Sequence, residues 1–142
     1  MFGLKMKNKL DIVFNFDGVI CNHIVSNWSH EKFGTPNTNM IKLVKDLFRN
    51  GHNIKLSTTR LYPITDGKHD HDVTTGKAKV LLKNKLKELN IFHCFSEITG
   101  YKCYGDVYIA DRTINSQRNS IEEIKDLLEI ARINRGLGLN SF

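Results

Sequence analysis

Apolar residues are spaced along this chain in a pattern that predicts alternating strands and helices. Short β-branched and aromatic runs predict strands at residues 11–16, 52–60, 94–98 and 106–111, and the second of these runs into a polar turn. Apolar residues three and four positions apart predict helices at residues 40–50, 77–89 and 120–134. This order predicts an α/β fold, a three-layer α/β/α Rossmann-like domain with a mainly parallel sheet, right-handed crossovers and helices on both faces.

Two of the predicted helices carry end signals. The first ends before Gly51, a residue type that favours the left-handed conformation after a helix. The last begins with a capping box of Ser120 and Glu123 and is followed by Gly136. The continuous run at residues 107–110 is typical of a strand covered on both faces. The helix residues expected to face the core are Met40, Leu43, Val44, Leu47 and Phe48; Ala78, Val80, Leu81, Leu82, Leu86 and Leu89; and Ile121, Ile124, Leu127, Leu128 and Ala131.

Size and composition indicate one globular domain. The chain has 142 residues, of which 40% are hydrophobic and 25% are charged. We therefore expect a single domain over residues 1–142, with its core at about 11–134. No apolar run approaches the roughly 20 residues that cross a bilayer, and no signal-peptide pattern opens the chain, so we expect a cytoplasmic location without membrane contact. Three cysteines without C-x-x-C spacing predict reduced thiols.

The charge balance favours anionic partners. The chain carries 21 basic and 15 acidic residues, a formal net charge of +6. Small phosphorylated molecules, nucleotides among them, and nucleic acid are the partner classes that such a surplus favours. Nucleic acid has the weaker support, because many lysines lie on predicted helix faces where solvation explains them and no aromatic residues interleave with them. The sequence leaves open whether the chain forms a homo-oligomer.

Polar residues follow three of the predicted strands directly. In a parallel sheet the ligand site forms beyond the carboxyl ends of the strands, so these residues are expected to meet. Asn15 and Asp17, two positions apart, are expected to project together while Phe14 and Phe16 pack elsewhere. The set comprises Asn15, Asp17, Gly18, Ser57, Thr58, Thr59, Arg60, Asp111 and Arg112, with Lys102 shortly before the last strand.

The first two strand ends resemble motifs of the haloacid dehalogenase-like (HAD) phosphatase superfamily. The sequence IVFNFDGVI is similar to motif I, D-x-D-G-[TV] after a hydrophobic run. Asn15 stands where that superfamily has its nucleophilic aspartate, and Asp17 matches the second aspartate. IKLSTTR resembles motif II, and its T-x-R form points to Thr58. The resemblance implies a HAD-like fold with its site at the carboxyl ends of the strands.

The remaining two motifs follow in the expected order. Lys102 resembles the motif III lysine, and VYIADR resembles motif IV, with its acidic pair reduced to Ala110 and Asp111. The resemblance covers about residues 11–115 and is most specific for a small, nearly capless group of phage and bacterial hydrolases. The segment after motif I is short, so only a minimal cap is expected.

The resemblance implies a Mg²⁺-dependent phosphomonoester hydrolase that works through an aspartyl phosphate. Asp17 would protonate the leaving oxygen and then help water to attack. Thr58 would hold a phosphoryl oxygen, and Lys102 would offset negative charge. The residues implied at the substrate are Gly18, Thr59 and Arg60, and those implied at Mg²⁺ are Asn15, Asp17 through its backbone carbonyl, and Asp111.

Two departures from the superfamily pattern bear on activity. An amide oxygen carries no full negative charge, so Asn15 is expected to be a very poor nucleophile. Asn15 and Ala110 also lower the number of anionic ligands, which weakens the expected binding of Mg²⁺. Three explanations stay open for Asn15: an engineered trapping substitution, a naturally silent relative, or a strand-end residue outside any motif. A catalytically silent phosphate-ligand or protein-binding module is therefore the alternative function.

Several other residues carry a chemical and a structural interpretation side by side. Arg60 could bind an anion or pair with an acidic neighbour such as Asp66 or Asp111. Cys21 is expected to be a packed thiol, because no activating base is evident nearby. Residues 69–72 read His-Asp-His-Asp, which suits either a metal or a solvated loop. Four further residues could line a substrate pocket or form a cluster over its mouth: Trp28, His30, Phe33 and Tyr62.

Overall fold

A four-stranded parallel sheet is the centre of the fold. The computed structural model describes residues 9–24, 26–61, 75–110 and 120–136. The strands are β1 (Asp11–Phe14), β2 (Asn53–Ser57), β3 (Phe95–Thr99) and β4 (Val107–Ile109). All neighbours pair in parallel, in the order β3-β2-β1-β4. The predicted α/β, Rossmann-like fold is confirmed.

In the described residues three α-helices accompany the sheet: α1 (Thr38–Arg49), α2 (Thr75–Glu88) and α3 (Ile121–Gly136). The predicted capping box at the start of α3 is confirmed, because the Ser120 amide donates to Glu123 Oε1 at 3.0 Å and the Glu123 amide donates to Ser120 Oγ at 3.1 Å. The prediction that Gly136 follows the helix was wrong, since α3 includes it. Within the described ranges, no helix has the length and apolarity needed to cross a membrane.

One face of the sheet forms the hydrophobic core. Residues in register across the strands share a face, so Phe14 of β1 stands beside Leu56 of β2 and Ile109 of β4. All three are fully buried. Helix residues complete this core, and the most deeply buried of them are Met40, Val44, Ala78, Leu82, Leu86 and Ile124.

The connection from β3 to β4 crosses the opposite face of the sheet. The Lys55 ammonium donates to the Tyr104 carbonyl at 3.0 Å, and the Ser57 hydroxyl donates to the Tyr101 carbonyl at 2.9 Å. Gly105 lies so close to the sheet that an added Cβ would stand 2.5 Å from Val13 Cγ2. A residue without a side chain is therefore needed where this connection passes over β1.

Four apolar residues that were expected to be buried are exposed: Phe48, Val80, Leu127 and Tyr108. A helix turns about 100° per residue, so Val80 points away from the arc that Ala78 and Leu82 bury. The buried stripes of the helices are thus narrower than their apolar composition suggested. Tyr108 belongs to β4, the last strand in the sheet order, and its hydroxyl donates to the Cys103 carbonyl at 2.6 Å. The expectation that β4 is covered on both faces was wrong.

The capping box gives a test of how the start of α3 is stabilised. Ser120→Ala removes the acceptor of the Glu123 amide, and we expect it to lower the free energy of unfolding by about 1 kcal/mol. Ser120→Asp keeps an acceptor and is expected to stay within a few tenths of a kcal/mol of the parent. Urea denaturation measures both. Equal losses in the two variants would contradict a capping role.

Candidate functional site

The carboxyl ends of β1 and β2 bring the predicted site residues of the first two motifs together. β1 pairs with β2 on one side and with β4 on the other, so its end lies at the middle of the sheet edge. Asn15 continues the pairing with β4, because its backbone N–H donates to the Ile109 carbonyl at 3.0 Å. β2 ends at Ser57, and a 3-10 turn at Thr59–Leu61 follows. Asp17 and Arg60, on neighbouring strand ends, can therefore meet.

Asp17 and Arg60 form a bidentate ion pair. Arg60 Nε donates to Asp17 Oδ2 at 2.8 Å, and Arg60 Nη2 donates to Asp17 Oδ1 at 2.9 Å. The Arg60 side chain is only 2% exposed, and that of Asp17 is 16% exposed. Paired charges with this fork geometry are among the strong hydrogen bonds of proteins. Both oxygens of the Asp17 carboxylate are therefore engaged by one guanidinium.

The remaining surroundings of Arg60 come from the segment after motif I. Arg60 Nη2 also donates to the Lys32 carbonyl at 2.9 Å, and Nη1 donates to the His30 carbonyl at 3.4 Å. Three aromatic rings surround the guanidinium carbon, at distances of 4.5, 4.8 and 5.4 Å from Phe33, Trp28 and Phe16. The cluster that was expected to cover the site mouth or line a pocket thus packs around Arg60, although its fourth member, Tyr62, lies outside the described residues.

The segment that supplies these contacts is a short insert, residues 22–35, whose two ends lie side by side. The backbone N–H of Asn22 donates to the Thr35 carbonyl at 2.9 Å, and the side-chain Nδ2 of Asn22 donates to Thr35 Oγ1 at 2.7 Å. The Asn37 amide then donates to the Ile20 carbonyl at 2.8 Å, and α1 begins. The insert is therefore closed at its base, and Arg60 fastens its far part to the strand ends.

Asn15 and Thr58 flank the ion pair. Asn15 Nδ2 lies 3.4 Å from the Asp17 backbone carbonyl. Thr58 is buried; its amide donates to the Thr99 carbonyl at 2.9 Å, and its hydroxyl accepts the Arg60 amide at 3.2 Å. β1 ends at Phe14 and a turn follows, so the extended geometry expected through residue 16 is shorter than predicted.

A histidine stands over Gly18. Gly18 has a φ of +85°, and an added Cβ would lie 2.3 Å from His23 Nε2. The Gly18 amide donates to the Cys21 carbonyl at 2.7 Å, which fixes the turn. His23 comes from the insert and is exposed, so its imidazole combines contact with Gly18 and access to solvent. Neither a periodic pattern nor a motif in the sequence indicated this contact.

Of the last two predicted motifs, the strand of motif IV lies beside β1 as β4, whereas Lys102 is not joined to this group in the described residues. Lys102 is exposed on the connection between β3 and β4, and within the described ranges no hydrogen bond or ion pair links it to Asn15, Asp17 or Thr58. Asp111 lies outside the described residues, as do Arg112, Asp66 and residues 69–72. In the part of the chain that the structure describes, no three His, Cys, Asp or Glu residues are grouped as a metal site would need.

The pairing of Arg60 with Asp17 was missed by the sequence interpretation, which named Asp66 and Asp111 as acidic partners. The two residues are 43 positions apart, so no local spacing connects them. The adjacency of β1 and β2 was the signal that could have revealed the pair, because parallel neighbours bring their carboxyl ends to the same edge.

Cys21 is a buried thiol, as expected. It is 0% exposed, and burial raises the pKa of the Cys21 thiol to about 11, although the nearby Lys85 ammonium favours the thiolate. A thiol held in its neutral form is a poor nucleophile.

Comparison with known proteins supports the fold. A conserved protein coded by a locus of Bacteroides thetaiotaomicron has a similar solved structure, with a TM-score of 0.54 and 16% sequence identity. The match covers 86% of this chain and 91% of that one. No protein-family model and no curated protein matches the chain. At this level of identity the similarity shows a shared α/β architecture.

The ion pair predicts a large loss of stability when only one partner is removed. Arg60→Met leaves the Asp17 carboxylate without its counter-ion, and we expect the free energy of unfolding to fall by about 3 kcal/mol or more. In the double variant with Asp17→Asn the loss is expected to be smaller than the sum of the two single losses. Urea denaturation of the four proteins measures this coupling.

Arg49→Met is the matched control for that experiment. Arg49 is 69% exposed and its contact with Asp46 is 3.5 Å long, so a loss of no more than about 0.5 kcal/mol is expected. Similar losses for the Arg49 and Arg60 variants would contradict the role assigned to the buried pair.

The Cys21 thiol predicts slow alkylation of the folded protein. At pH 8 we expect iodoacetamide to modify Cys103, which is partly exposed, well before Cys21, and to modify both at similar rates in urea. Mass spectrometry of the labelled peptides is the measurement, and early labelling of Cys21 would contradict the prediction.

The same thiol makes the stability of the protein depend on pH. The folded-state pKa of Cys21 lies above its ordinary value of 9.0, so the contribution of the neutral thiol to the free energy of unfolding is complete below pH 9 and is lost as the pH rises toward about 11.

Proposed function

We propose that this chain is a HAD-type phosphatase scaffold that binds a small phosphorylated molecule and whose hydrolytic step is blocked at Asn15. The observation that carries the proposal is that Asn15, Asp17 and Thr58 follow the carboxyl ends of two parallel neighbours, where Arg60 bonds to the Asp17 carboxylate and to the Thr58 hydroxyl. These are the residues that match motifs I and II, and this edge is where open α/β sheets bind ligands.

The chemistry of the two motif I residues favours binding over turnover. The lone pair of the Asn15 amide is delocalised, so its oxygen attacks phosphorus poorly. Both Asp17 oxygens accept hydrogen bonds from Arg60, so Asp17 has to give up part of this pairing before it can pass a proton to a leaving group. Without a nucleophile, a bound phosphate ester would be retained.

The remaining residues would hold the phosphate. The Thr58 oxygen accepts the Arg60 amide, which leaves the hydroxyl hydrogen to be donated to a phosphoryl oxygen. Lys102 would supply positive charge from the connection between β3 and β4. Gly18 and Thr59 would lie beside the phosphate by resemblance, and the His23 imidazole fills the space that the missing Gly18 side chain leaves.

The oxygens at Asn15 and Asp17 suit a weakly held Mg²⁺. The Asn15 side-chain amide lies 3.4 Å from the Asp17 carbonyl, close to the roughly 3 Å that separates adjacent oxygen ligands of this ion. A half-turn of the amide would point its oxygen toward the same ion. Asp111 would be the anionic ligand by resemblance. Bound there, Mg²⁺ would offset phosphoryl charge, and two neutral ligands make its affinity low.

A catalytically silent protein-binding or phosphate-ligand module is the second candidate, and the Arg60 contacts favour it. Arg60 engages the one carboxylate that motif I retains, and it joins that carboxylate to the insert through the Lys32 carbonyl. In such a module the charged residues would serve to hold the insert in place. Ligand binding would then be indifferent to Mg²⁺ and to restoration of the aspartate.

Restoring the nucleophile tests the first proposal. We expect Asn15→Asp to gain Mg²⁺-dependent hydrolysis of p-nitrophenyl phosphate or of members of a nucleotide panel, because it supplies the missing carboxylate. Adding Asp17→Asn to that variant should lower the new rate by about 10²-fold or more, since it removes the acid and base. Release of p-nitrophenol or phosphate measures the rates.

The control for this experiment is the folded state of each variant, followed by circular dichroism and urea denaturation. A folded Asn15→Asp protein without turnover in the presence of Mg²⁺ would contradict a latent phosphatase. If that protein still bound phosphate esters with unchanged affinity, the silent module would be the better description.

A further inference from the structure

A second pocket lies at the opposite edge of the sheet from the candidate site. It has a volume of about 320 Å³ and is lined by Lys45, Phe48, Arg49, Asn90, His93 and Cys94. The C-terminal half of α1 and the turn at Phe92–Cys94 form its walls, and these elements directly precede β2 and β3. The pocket therefore opens at the amino ends of the strands. Its volume lies at the lower end of the range for small-molecule sites.

The charge of this pocket is positive. Lys45 and Arg49 are four residues apart on α1, so they share a helix face, and none of the lining residues is acidic. Arg49 has an ion-pair contact with Asp46 at 3.5 Å, but Asp46 is not part of the lining. The helix dipole favours positive side chains near the C-terminus of α1. It explains why Lys45 and Arg49 are positive, but not why both line the same cavity.

The field of these two cations reaches the buried side of the pocket. Burial raises the pKa of the Cys94 thiol, and Lys45 and Arg49 act in the opposite direction by favouring its thiolate. Cys94 is buried and its Sγ lies 3.7 Å from His93 Nε2. A negative group that enters the pocket would therefore meet a favourable potential.

An exposed aromatic ring forms the apolar wall. Phe48 is 41% exposed although it follows the buried Leu47 on α1. The His93 ring meets it edge to face, with centroids 5.4 Å apart and planes at 90°. Stacked or edge-to-face contact with a flat ring is the arrangement that aromatic side chains favour. Asn90 adds an exposed side-chain amide at the rim.

We propose that this pocket is a binding site for a small aromatic anion, an aryl or heteroaryl phosphate, with the phosphate between Lys45 and Arg49 and the ring against Phe48. Two cations without a lining carboxylate select the negative group, and the exposed phenyl selects the ring. The site is independent of the carboxyl edge, because its residues come from the other ends of the strands.

Titration of isotopically labelled protein with phenyl phosphate, followed by NMR, tests this site. We expect saturable shifts of the amides of Asn90 and His93 and of the Phe48 ring. Lys45→Gln with Arg49→Gln should weaken binding about tenfold or more, because two charge-assisted hydrogen bonds are lost. Phe48→Ala should weaken the binding of phenyl phosphate while leaving that of inorganic phosphate unchanged.

Lys42→Gln is the matched control, since Lys42 is exposed on α1 outside the pocket lining. It should change affinity less than twofold. Three outcomes would overturn the proposal: shifts confined to the carboxyl edge, equal weakening by Lys42→Gln and by the pocket variants, or no saturation. Because phenol lacks the anion, it should bind much more weakly than phenyl phosphate, and equal binding of the two would likewise contradict the proposal.

Discussion

The buried pair of Arg60 and Asp17 is the interaction on which the arrangement of the candidate site depends. A guanidinium taken out of water is costly unless its donors and its charge are matched. For Arg60 these partners are a carboxylate, two backbone carbonyls and three aromatic rings. These partners come from the end of β1 and from the insert, while Arg60 follows β2. One side chain thus sets the relative positions of three stretches of chain.

The same ion pair sets the net charge at the carboxyl edge of the sheet. Asn15 is neutral, and the negative charge of Asp17 is balanced by Arg60, so the three side chains together carry no net charge. A site with two unpaired carboxylates would repel a phosphate dianion unless a metal were bound. In this chain Asn15 is an amide and the Asp17 carboxylate is paired with Arg60, so that repulsion is absent. Loss of chemistry and retention of a phosphate ligand are therefore compatible in one site, which is the basis of the function proposed above.

The sequence predicted the parts of this structure that depend on local pattern. The parallel sheet followed from alternating elements, and the start of α3 followed from Ser120 and Glu123. Exposure of Val80 and Tyr108 was not predicted, because composition shows that a residue is apolar but not which way it points. Asn15, Asp17 and Thr58 were expected to follow the carboxyl ends of neighbouring strands, and they follow β1 and β2, with Asp17 and Thr58 both bonded to Arg60.

What could not be predicted depends on contacts between distant segments. The partner of Arg60 lies 43 residues away, and the position of His23 over Gly18 depends on the path of an irregular segment. Neither relation leaves a periodic signal in the chain. Both follow once β1 and β2 are known to be neighbours and the insert is known to fold back over their ends.

The closed base of the insert has an evolutionary consequence. Because the chain leaves the domain at Asn22 and returns at Thr35 through adjacent hydrogen bonds, the length of the excursion between them is not fixed by the sheet. The entropic cost of a longer loop grows only slowly with its length. A longer insert that kept the contacts with Arg60 would therefore leave the pairing of the strands unchanged.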